Sequence, residues 1–332
     1  MKIGLPIELQ GPGGIRSWAR TFSNCCLDRG WDIYYSDDAD VDIFIALANL
    51  TPLEVLEKKK SRGIKIVYRM DGPYFEYFDF KKKHLKESNQ IIKDCLENAD
   101  KVIYQSKFSK HAASWLLGGK EIPGKVIYNG ADNELFRPKG KTLPKPENKK
   151  IVLAIAYWGT PLMAENSIRV ILDVAEKLLS ESYIEFWILG EAYPETEEVI
   201  KKADLPNVTR CDLHSPIKHE DMPVFIRTAD LILHTRPNDA CSNLIIEAMN
   251  VGIPIVGLNS GSTPELIGNA GLMANCTSSF EKFPVVDIDD LSEKIIDTFL
   301  KYDVFKSSIL ERGKAFTQKN MCQNYFELFK EL

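Results

Sequence analysis

Short apolar runs alternate with amphipathic stretches along the first part of the chain. The runs are rich in β-branched and aromatic residues, which predicts β-strands. The stretches between them repeat apolar side chains every three or four positions, as Trp18, Phe22 and Cys26 do, which predicts α-helices. The predicted strands span residues 3–7, 31–35, 41–47, 64–68, 101–104 and 125–128, and the predicted helices span residues 15–29, 52–61, 88–99 and 106–117.

The alternation pauses at residues 136–150, where prolines and a glycine stand among basic residues, a composition typical of a linker. It then resumes, and strands that alternate with helices in this way indicate βαβ units and parallel sheets. The later predicted strands are 151–156, 184–189, 231–234 and 253–257, followed or separated by helical segments 167–179, 195–203, 242–251, 289–301 and 320–332.

The pattern therefore predicts an α/β protein with two doubly wound, Rossmann-like domains that face each other across a cleft. A length of 332 residues agrees with two domains. We place the first domain at residues 1–138, the second at residues 139–318, and a C-terminal helix that packs back toward the first domain at residues 319–332. In such a pair we expect the ligand in the cleft, at the carboxyl ends of the strands.

Composition and cysteine content favour a cytoplasmic protein. The N-terminus does not have the layout of a signal peptide, and no apolar run approaches the roughly 20 residues that span a bilayer. The seven cysteines are odd in number and show no CxxC spacing. We therefore expect free thiols in a reducing compartment, without a disulfide framework or a zinc site.

Charge is distributed unevenly along the chain. Residues 1–150 carry a net charge of +6 and the remaining residues a net charge of −11. The basic half could face an anionic acceptor or an anionic membrane, and the lysines 81–83 beside several aromatic residues suggest such a peripheral contact at the inner membrane face. A solvated loop and simple surface variation explain the same features. A pI near 5.7 argues against nucleic acid as a partner.

Candidate chemistry lies between residues 234 and 254, which run through a strand, a loop, a helix and a second strand. The predicted helix begins near Asn243, where unpaired N–H groups and the helix dipole favour an anion such as a diphosphate. Two acids flank this helix start, Asp239 in the loop and Glu247 about one turn into the helix. Carboxylates on both sides of a phosphate site suit the hydroxyl groups of a nucleotide-sugar.

This segment resembles the acid, seven residues, acid signature of retaining glycosyltransferases of the GT-B fold, in particular the large family 4. Glu247-Ala248-Met249, Gly252-Ile253-Pro254 and residues 261–265 all match the pattern. The resemblance implies that Glu247 binds the donor ribose and that Asp239 binds the transferred sugar. Residues that would hold the diphosphate are Ser242, Asn243 and Leu244. The family usually has Glu at the first acid, so Asp239 is a departure.

The resemblance extends to other segments. Gly13 and Gly14 are similar to the glycine loop of the family, where the backbone approaches a phosphate or sugar without a Cβ in the way. Residues 98–106, 128–132 and 136–138 also resemble family landmarks. By position, the nucleobase should lie near Gly190 and near Leu213 and His214.

Two further departures concern charged residues. The family usually places an Arg and a Lys after the first strand of the second domain, and residues 157–167 do not supply this pair. A leaving diphosphate needs a cation, for which Arg236 is the first candidate and Arg16 the second, whereas Arg169 is expected to face solvent. Many family members have a histidine near the sugar where this chain has Arg69 and Asp71. That pair either caps a turn or brings Asp71 to a sugar or acceptor hydroxyl.

The sequence thus predicts a metal-independent, retaining glycosyltransferase with an N-terminal acceptor-binding domain and a C-terminal domain for the nucleotide-sugar. We expect a donor of the UDP or GDP type, a glycan, lipid-linked or protein-linked hydroxyl acceptor, and a front-face mechanism without a further cofactor. A non-catalytic carbohydrate-binding or partner subunit with the same fold is the alternative. A nucleotide-sugar epimerase would need proton-transfer residues that the sequence does not supply.

Overall fold

The computed structural model describes residues 1–6, 13–36, 39–78, 82–156, 158, 161–211 and 217–332. By their internal contacts these residues form two compact units. The first unit consists of Met1–Tyr74, Lys81–Gly130 and Gln318–Leu332, and the second consists of Phe75–Phe80 and Ala131–Thr317. The predicted boundary at 138/139 therefore differs from the observed one. Residues after Gly130 already bond within the second unit, where the Ala131 N–H donates to the Phe316 carbonyl at 3.0 Å.

The first unit is a parallel sheet covered by helices. Its described strands are hydrogen-bonded in the order β2-β1-β3-β4-β5-β6. The elements are β1 (Lys2–Gly4), α1 (Gly14–Asp28), β2 (Asp32–Tyr34), β3 (Ile43–Leu47), α2 (Leu53–Ser61), β4 (Lys65–Met70), α3 (Lys82–Asn98), β5 (Lys101–Tyr104), α4 (Lys107–Leu116) and β6 (Lys125–Val126), followed at the end of the chain by α12 (Gln318–Phe329).

The second unit repeats this architecture. Its described strands form a parallel sheet in the order β12-β11-β10-β7-β8-β9. The elements are β7 (Lys150–Ile155), α5 (Pro161–Lys177), β8 (Ile184–Leu189), α6 (Pro194–Ala203), β9 (Val208–Arg210), α7 (Met222–Thr228), β10 (Leu231–His234), α8 (Asn243–Val251), β11 (Ile255–Leu258), α9 (Thr263–Ile267), β12 (Leu272–Ala274), α10 (Ile288–Leu300) and α11 (Tyr302–Gly313). The predicted doubly wound α/β class is confirmed in both units.

In the second unit, the candidate binding residues lie in loops that follow the carboxyl ends of the strands. Because its described strands are parallel, the loops after β7, β8 and β10 leave from one edge of the sheet. Strand β10 is buried throughout, which fixes the start of the loop that follows His234. Helix α8 is also buried from Ile245 to Val251, since it packs between the sheet and α11.

Helix α12 packs through aromatic side chains on α1 and on Trp31, which directly precedes β2, within the first unit. The rings of Phe22 and Tyr325 lie 5.1 Å apart, and those of Trp31 and Phe326 lie 4.7 Å apart. Burial of each such ring stabilises the folded state by about 1.5–3 kcal/mol. The end of the chain thus completes the core beside β1 and β3.

A disulfide joins the same two helices, between Cys25 on α1 and Cys322 on α12. The expectation of a chain without disulfides is therefore wrong for this pair, although Cys26, Cys95, Cys211, Cys241 and Cys276, all among the described residues, are not disulfide-bonded. The two cysteines are 297 residues apart in sequence. No local spacing rule relates residues so distant, so the sequence alone gave no sign of the pairing.

Removal of this disulfide should lower stability. The double variant Cys25→Ser/Cys322→Ser is expected to lose about 2–4 kcal/mol of unfolding free energy, because the cross-link restricts the unfolded chain. Thermal unfolding without reductant measures the loss. In dithiothreitol the wild type and the variant should unfold alike, and a difference that persists there would show that the serines disturb packing instead.

No helix in the described part of the chain is long and apolar enough to cross a bilayer. The aromatic and basic segment that suggested a peripheral membrane contact is only partly covered, because Lys81 and the side chains of Lys82 and Lys83 lie outside the described residues.

Candidate nucleotide-sugar site

The loop between β10 and α8 carries the first acid of the motif. It is fastened to α5 at its start, since Ser167 and Thr235 each donate a side-chain hydrogen bond to the other's carbonyl, at 3.4 and 3.3 Å. In the middle of the loop, the Ser262 N–H donates to the Asp239 carbonyl at 2.8 Å. Hydrogen bonds therefore hold the loop at its start and at Asp239 itself, which limits the positions available to the Asp239 side chain.

Asp239 lies against His234, the last residue of β10. The His234 Nε2 and Asp239 Oδ2 atoms are 3.5 Å apart, and the Cys241 N–H donates to Asp239 Oδ1 at 3.3 Å. Burial opposes ionisation of this carboxyl, but the hydrogen bond with His234, the charge of Arg236 and the Cys241 amide outweigh it and lower its pKa. Asp239 is thus a carboxylate at neutral pH and can accept hydrogen bonds from hydroxyl groups.

Gly261 makes room for the acid loop. Its φ is +63°, and a Cβ there would lie 2.5 Å from the Asp239 nitrogen and 2.8 Å from the Asp239 carbonyl oxygen. These are backbone atoms that cannot swing aside. A side chain at position 261 would therefore displace Asp239 itself.

The variant Gly261→Ala should accordingly lose stability and donor turnover together. Gly252→Ala is the matched control in the same unit, because Gly252 also has a positive φ, +81°, while its Cβ would make only an ordinary contact with Leu310 at 3.4 Å. An alanine with positive φ costs about 1–2 kcal/mol, and Gly261→Ala should exceed the control by the cost of the clash. Equal unfolding free energies for the two variants would contradict this account.

The N-terminus of α8 lies between the two acids. Ser242 is the N-cap, and its Oγ accepts from the Ile245 N–H at 3.4 Å. Asn243 and Leu244 form the first turn and are half-buried, and the first N–H groups of any helix have no partner within it. Positive helix-dipole charge and these amides make the turn suited to an anion.

Glu247 follows one turn later on α8 and is 7% exposed. Its Oε1 lies 3.1 Å from His219 Nε2, and the His219 ring packs edge-on against Phe136 at 5.2 Å. Burial raises the pKa of Glu247, while the His219 contact opposes that rise. The carboxyl group is therefore fixed in place by its histidine and accessible over a small area.

Gly190 directly follows β8 and has a backbone conformation that favours glycine. Its φ is +112°, and a Cβ would lie 1.9 Å from the Ala156 carbonyl oxygen. Arg210 fixes the same turn, because it donates to the Gly190 carbonyl at 2.6 Å and pairs with Glu197. The other residues expected near a nucleobase, Leu213 and His214, lie outside the described part of the chain.

The candidate cations differ in their surroundings. Arg236 is exposed in the acid loop, and its charge helps to lower the pKa of Asp239. Arg169 is exposed and pairs with Glu165 at 2.7 Å, as expected for an ordinary surface arginine. Within the described residues, no group of three or more His, Cys, Asp or Glu side chains could hold a metal ion.

The glycine loop of the first unit leads directly into α1. Gly13 has a φ of +111° and is the N-cap, and α1 begins at Gly14. A Cβ on Gly13 would meet no atom within 4 Å, so its conformation, and not a lack of space, accounts for glycine at this position. Arg16 is half-buried in the first turn of α1.

Arg69 and Asp71 lie in a polar network at the carboxyl ends of β4 and β5. Arg69 is 1% exposed, bonds to Asp71 and to Asn129 Oδ1 at 2.9 Å, and has its guanidinium 4.3 Å from the centre of the Trp18 ring. Gln105 also bonds to Asp71 and accepts from Asn129 at 3.1 Å. Arg69 is thus buried within this network, whereas its ion-pair partner Asp71 is half-buried.

Sequence reasoning missed three residues of the second unit that hold the predicted ones in place. His234 and His219 each contact one acid of the motif, and Arg210 fixes Gly190. His234 stood directly at the predicted strand end, which was a usable signal. His219 lies 28 residues from Glu247, and nothing in its local pattern indicated that contact.

Part of the chain matches a model of a known protein family. Residues 150–297 match the family model for Glycosyl transferases group 1. The GPI3 subunit of phosphatidylinositol N-acetylglucosaminyltransferase from Saccharomyces cerevisiae is 24% identical over 217 residues, which is 63% of this chain and 45% of that protein. The chain thus spans less than half the length of this curated relative.

Solved structures match over the whole chain. Sucrose-phosphate synthase from Thermosynechococcus elongatus has a TM-score of 0.77 at 16% identity, with 99% of this chain and 98% of that chain covered. Anabaena HepE in complex with UDP-glucose has a TM-score of 0.70 at 16% identity, with both chains fully covered. The two parallel sheets and these matches define the GT-B fold.

The family-model match covers residues 150–297, less than half of the chain, and supports the resemblance found in the sequence over that stretch. The fold of the chain is the GT-B fold.

Proposed function

We propose that the chain is a retaining glycosyltransferase that moves a sugar from a nucleoside diphosphate-sugar to a hydroxyl acceptor. One observation carries the proposal: two carboxylates, each held by a histidine, flank the N-terminus of a buried helix. This order matches the three parts of such a donor, which are a sugar, a diphosphate and a ribose. UDP is the favoured nucleotide, because a structure of similar fold holds UDP-glucose.

Glu247 is assigned to the ribose. Its Oε1 atom lies against His219, so Oε2 is the atom that we assign to a ribose hydroxyl. The amides of residues 242–244 and the dipole of α8 would hold the diphosphate. The sequence resemblance also assigns Gly14 to a phosphate, and this assignment stays a prediction.

Asp239 is assigned to the transferred sugar. Its lowered pKa keeps it ionised, and an ionised carboxylate is a strong acceptor for sugar hydroxyls. The side chain is one methylene shorter than the glutamate usual in the family. The sugar would therefore lie closer to the loop, or at a different tilt, than in relatives with glutamate.

The reaction needs few protein groups. In a front-face transfer, the bond between the anomeric carbon and the diphosphate oxygen breaks, and the acceptor oxygen bonds to that carbon on the same face. The departing diphosphate takes the acceptor proton, so no dedicated base is required. Developing charge on the diphosphate requires a cation, for which Arg236 is the first candidate and Arg16 the second. Asp71 would accept a hydrogen bond from the acceptor or from the sugar.

The acceptor belongs to the first unit in this proposal. Residues 1–150, which include the stretches Met1–Tyr74 and Lys81–Gly130 of the first unit, carry a net charge of +6, and this favours an anionic acceptor or a contact with an anionic membrane surface. A glycan, a lipid-linked sugar and a protein-linked sugar all carry a hydroxyl that could accept.

A non-catalytic subunit is the second candidate function. The specific observation in its favour is that the yeast relative is itself named as a subunit of a transferase. The shortened acid Asp239 and the absence of the usual Arg/Lys pair from residues 157–167 agree with it.

A panel of UDP- and GDP-sugars separates the two functions. Release of the free nucleotide from each donor measures turnover, and calorimetry with UDP and GDP measures binding. The enzyme proposal requires release from at least one donor, and the α-configuration of a product from an α-linked donor would support retention. Nucleotide binding without turnover, with and without candidate acceptors, would favour the subunit.

A further inference from the structure

A short segment between β4 and α3 belongs to the second unit. Phe75–Phe80 join that unit by their contacts, although the chain on both sides belongs to the first. Within this segment a 3₁₀ turn at Glu76–Phe78 carries Tyr77, whose side chain is 3% exposed. So short a segment can bury a tyrosine only if other side chains of the second unit surround it.

Aromatic rings supply that site. Phe75 stacks on Tyr77 at 5.7 Å and on Phe280 at 5.2 Å, and both pairs are almost parallel. Tyr77 also meets Phe283 edge-on at 6.0 Å. Parallel and edge-on pairs at these distances are favourable, so they fix the direction in which the Tyr77 hydroxyl points.

That hydroxyl meets Asn238, the residue before the first acid. Asn238 Nδ2 donates to the Tyr77 oxygen at 2.6 Å and to the Ser279 carbonyl at 2.6 Å. The Oδ1 atom of Asn238 accepts from the Ser260 hydroxyl at 3.2 Å, and the backbone N–H of Asn238 donates to Ser260 Oγ at 3.0 Å. Both amide hydrogens and the amide oxygen are therefore engaged.

Asn238 needs this fixation because its backbone is unusual. Its φ is +49°, in the left-handed region that asparagine tolerates better than most residues. The conformation at position 238 determines the direction in which the chain enters Asp239. A change there would move the carboxylate that lies against His234.

We propose that Tyr77 is a positioning residue for the donor sugar, which holds Asn238 and thereby orients the Asp239 carboxylate. The proposal rests on the proposed function, since it assigns Asp239 to the sugar. Burial raises the pKa of Tyr77, so the hydroxyl keeps its proton and remains a neutral partner at working pH. Tyr77 thus influences turnover through the loop that carries Asp239.

The variant Tyr77→Phe tests this role. It keeps the stacked ring and removes only the oxygen that accepts from Asn238. We expect kcat for nucleotide release from the best UDP-sugar to fall about tenfold, while the Kd for UDP changes less than twofold, because a small misplacement of a sugar-binding group affects mainly turnover. Tyr74→Phe is the matched control, since its hydroxyl bonds Asn49 in the first unit at 3.1 Å.

A double-mutant cycle distinguishes an effect of Tyr77 that acts through Asn238 from a general disturbance of the folded structure. Asn238→Gly accepts the positive φ and removes the amide that Tyr77 holds. In the Asn238→Gly background, Tyr77→Phe should have no further effect on kcat, because the group through which it acts is gone. Additive effects in the cycle would overturn the proposal, as would an unchanged kcat in Tyr77→Phe alone.

Hydrogen exchange gives a readout that does not depend on turnover. Amides of residues 235–241 should exchange faster in Tyr77→Phe than in the wild type, while amides of β8 and α10 stay unchanged. Faster exchange throughout the second unit, or equal losses of UDP affinity and kcat, would mean a structural role only. If the wild type uses no donor, the proposed function fails, and exchange at residues 235–241 still decides whether Tyr77 holds the loop.

Discussion

Glu247→Gln weakens the binding of UDP about 10- to 100-fold if Glu247 holds the ribose. A hydrogen bond to a charged group contributes about 1.5–3 kcal/mol, and each 1.4 kcal/mol corresponds to a factor of ten. Glutamine keeps the size of the side chain and can still contact His219, but it is neutral and has only one acceptor oxygen. Calorimetric titration with UDP measures the loss. Glu293→Gln, an exposed position on α10, is the control and should bind UDP as the wild type does.

The pH dependence of the unfolding free energy tests the Glu247 carboxyl group independently of UDP binding. Burial raises the pKa of Glu247 above its unfolded value. The stabilising contribution of this group is therefore fully present below the unfolded pKa and is lost as pH rises through the folded pKa. Relative to Glu247→Gln, the wild type should lose unfolding free energy as pH rises from about 4 toward neutrality. Unchanged UDP affinity in a folded Glu247→Gln variant would remove Glu247 from the ribose site.

Asp239→Asn is expected to reduce kcat about 100-fold while UDP binds nearly as before. The substitution removes the carboxylate assigned to the sugar but leaves the start of α8 and Glu247 in place. Loss of an orienting group at the reacting sugar affects the transition state more than the bound nucleotide, and misplacement by about 1 Å can cost a factor near 100. Steady-state rates with a saturating UDP-sugar, together with the Kd for UDP, measure the two effects separately.

The pH dependence of the unfolding free energy gives a second test of Asp239. Burial works against ionisation, but His234, Arg236 and the Cys241 amide together lower the pKa. The stability that this group supplies is present above its unfolded pKa and is lost as pH falls through the folded pKa. Asp239→Asn should therefore be less stable than the wild type at neutral pH, and the difference should shrink in acid below about pH 4. Equal stability of the two proteins at neutral pH would contradict the lowered pKa of Asp239. A loss of UDP affinity as large as the loss of kcat would contradict the assignment of Asp239 to the sugar.

Asp239→Glu provides the matched comparison, since it introduces the acid usual in the family that the sequence resembles. The longer side chain keeps the charge but moves it by one methylene. If Asp239→Glu retains turnover and Asp239→Asn loses it, the charge at position 239 matters more than the length of the side chain.

Much of the fold could be predicted from the pattern of apolar positions. Both rounds of strand and helix alternation were predicted, and β5, β8 and β10 have the bounds expected from sequence. Short elements were missed, among them α9 (Thr263–Ile267) and β12 (Leu272–Ala274), because so few residues do not establish a period. Helix α3 begins at Lys82, earlier than predicted, since its first turn is basic and not apolar.

The site was predictable where its residues are neighbours in sequence. Asp239, the N-cap Ser242 and Glu247 occupy one strand-loop-helix segment, and their order alone indicated an anion between two acids. The contacts that hold them are distant in sequence. Tyr77 bonds Asn238 across 161 residues, and Cys25 pairs with Cys322 across 297. Such pairs are set by tertiary packing, which a single sequence does not reveal.

The division of the chain has a consequence for genetic dissection. Each unit is assembled from separate stretches of sequence, because Phe75–Phe80 and Gln318–Leu332 lie on the far side of a boundary from the rest of their unit. A gene cut once near residue 138 would leave the N-terminal fragment without α12 and the C-terminal fragment without Tyr77. Separate expression of the second unit therefore requires a fusion that restores residues 75–80, and a library that swaps whole units must exchange three segments together for the first unit and two for the second.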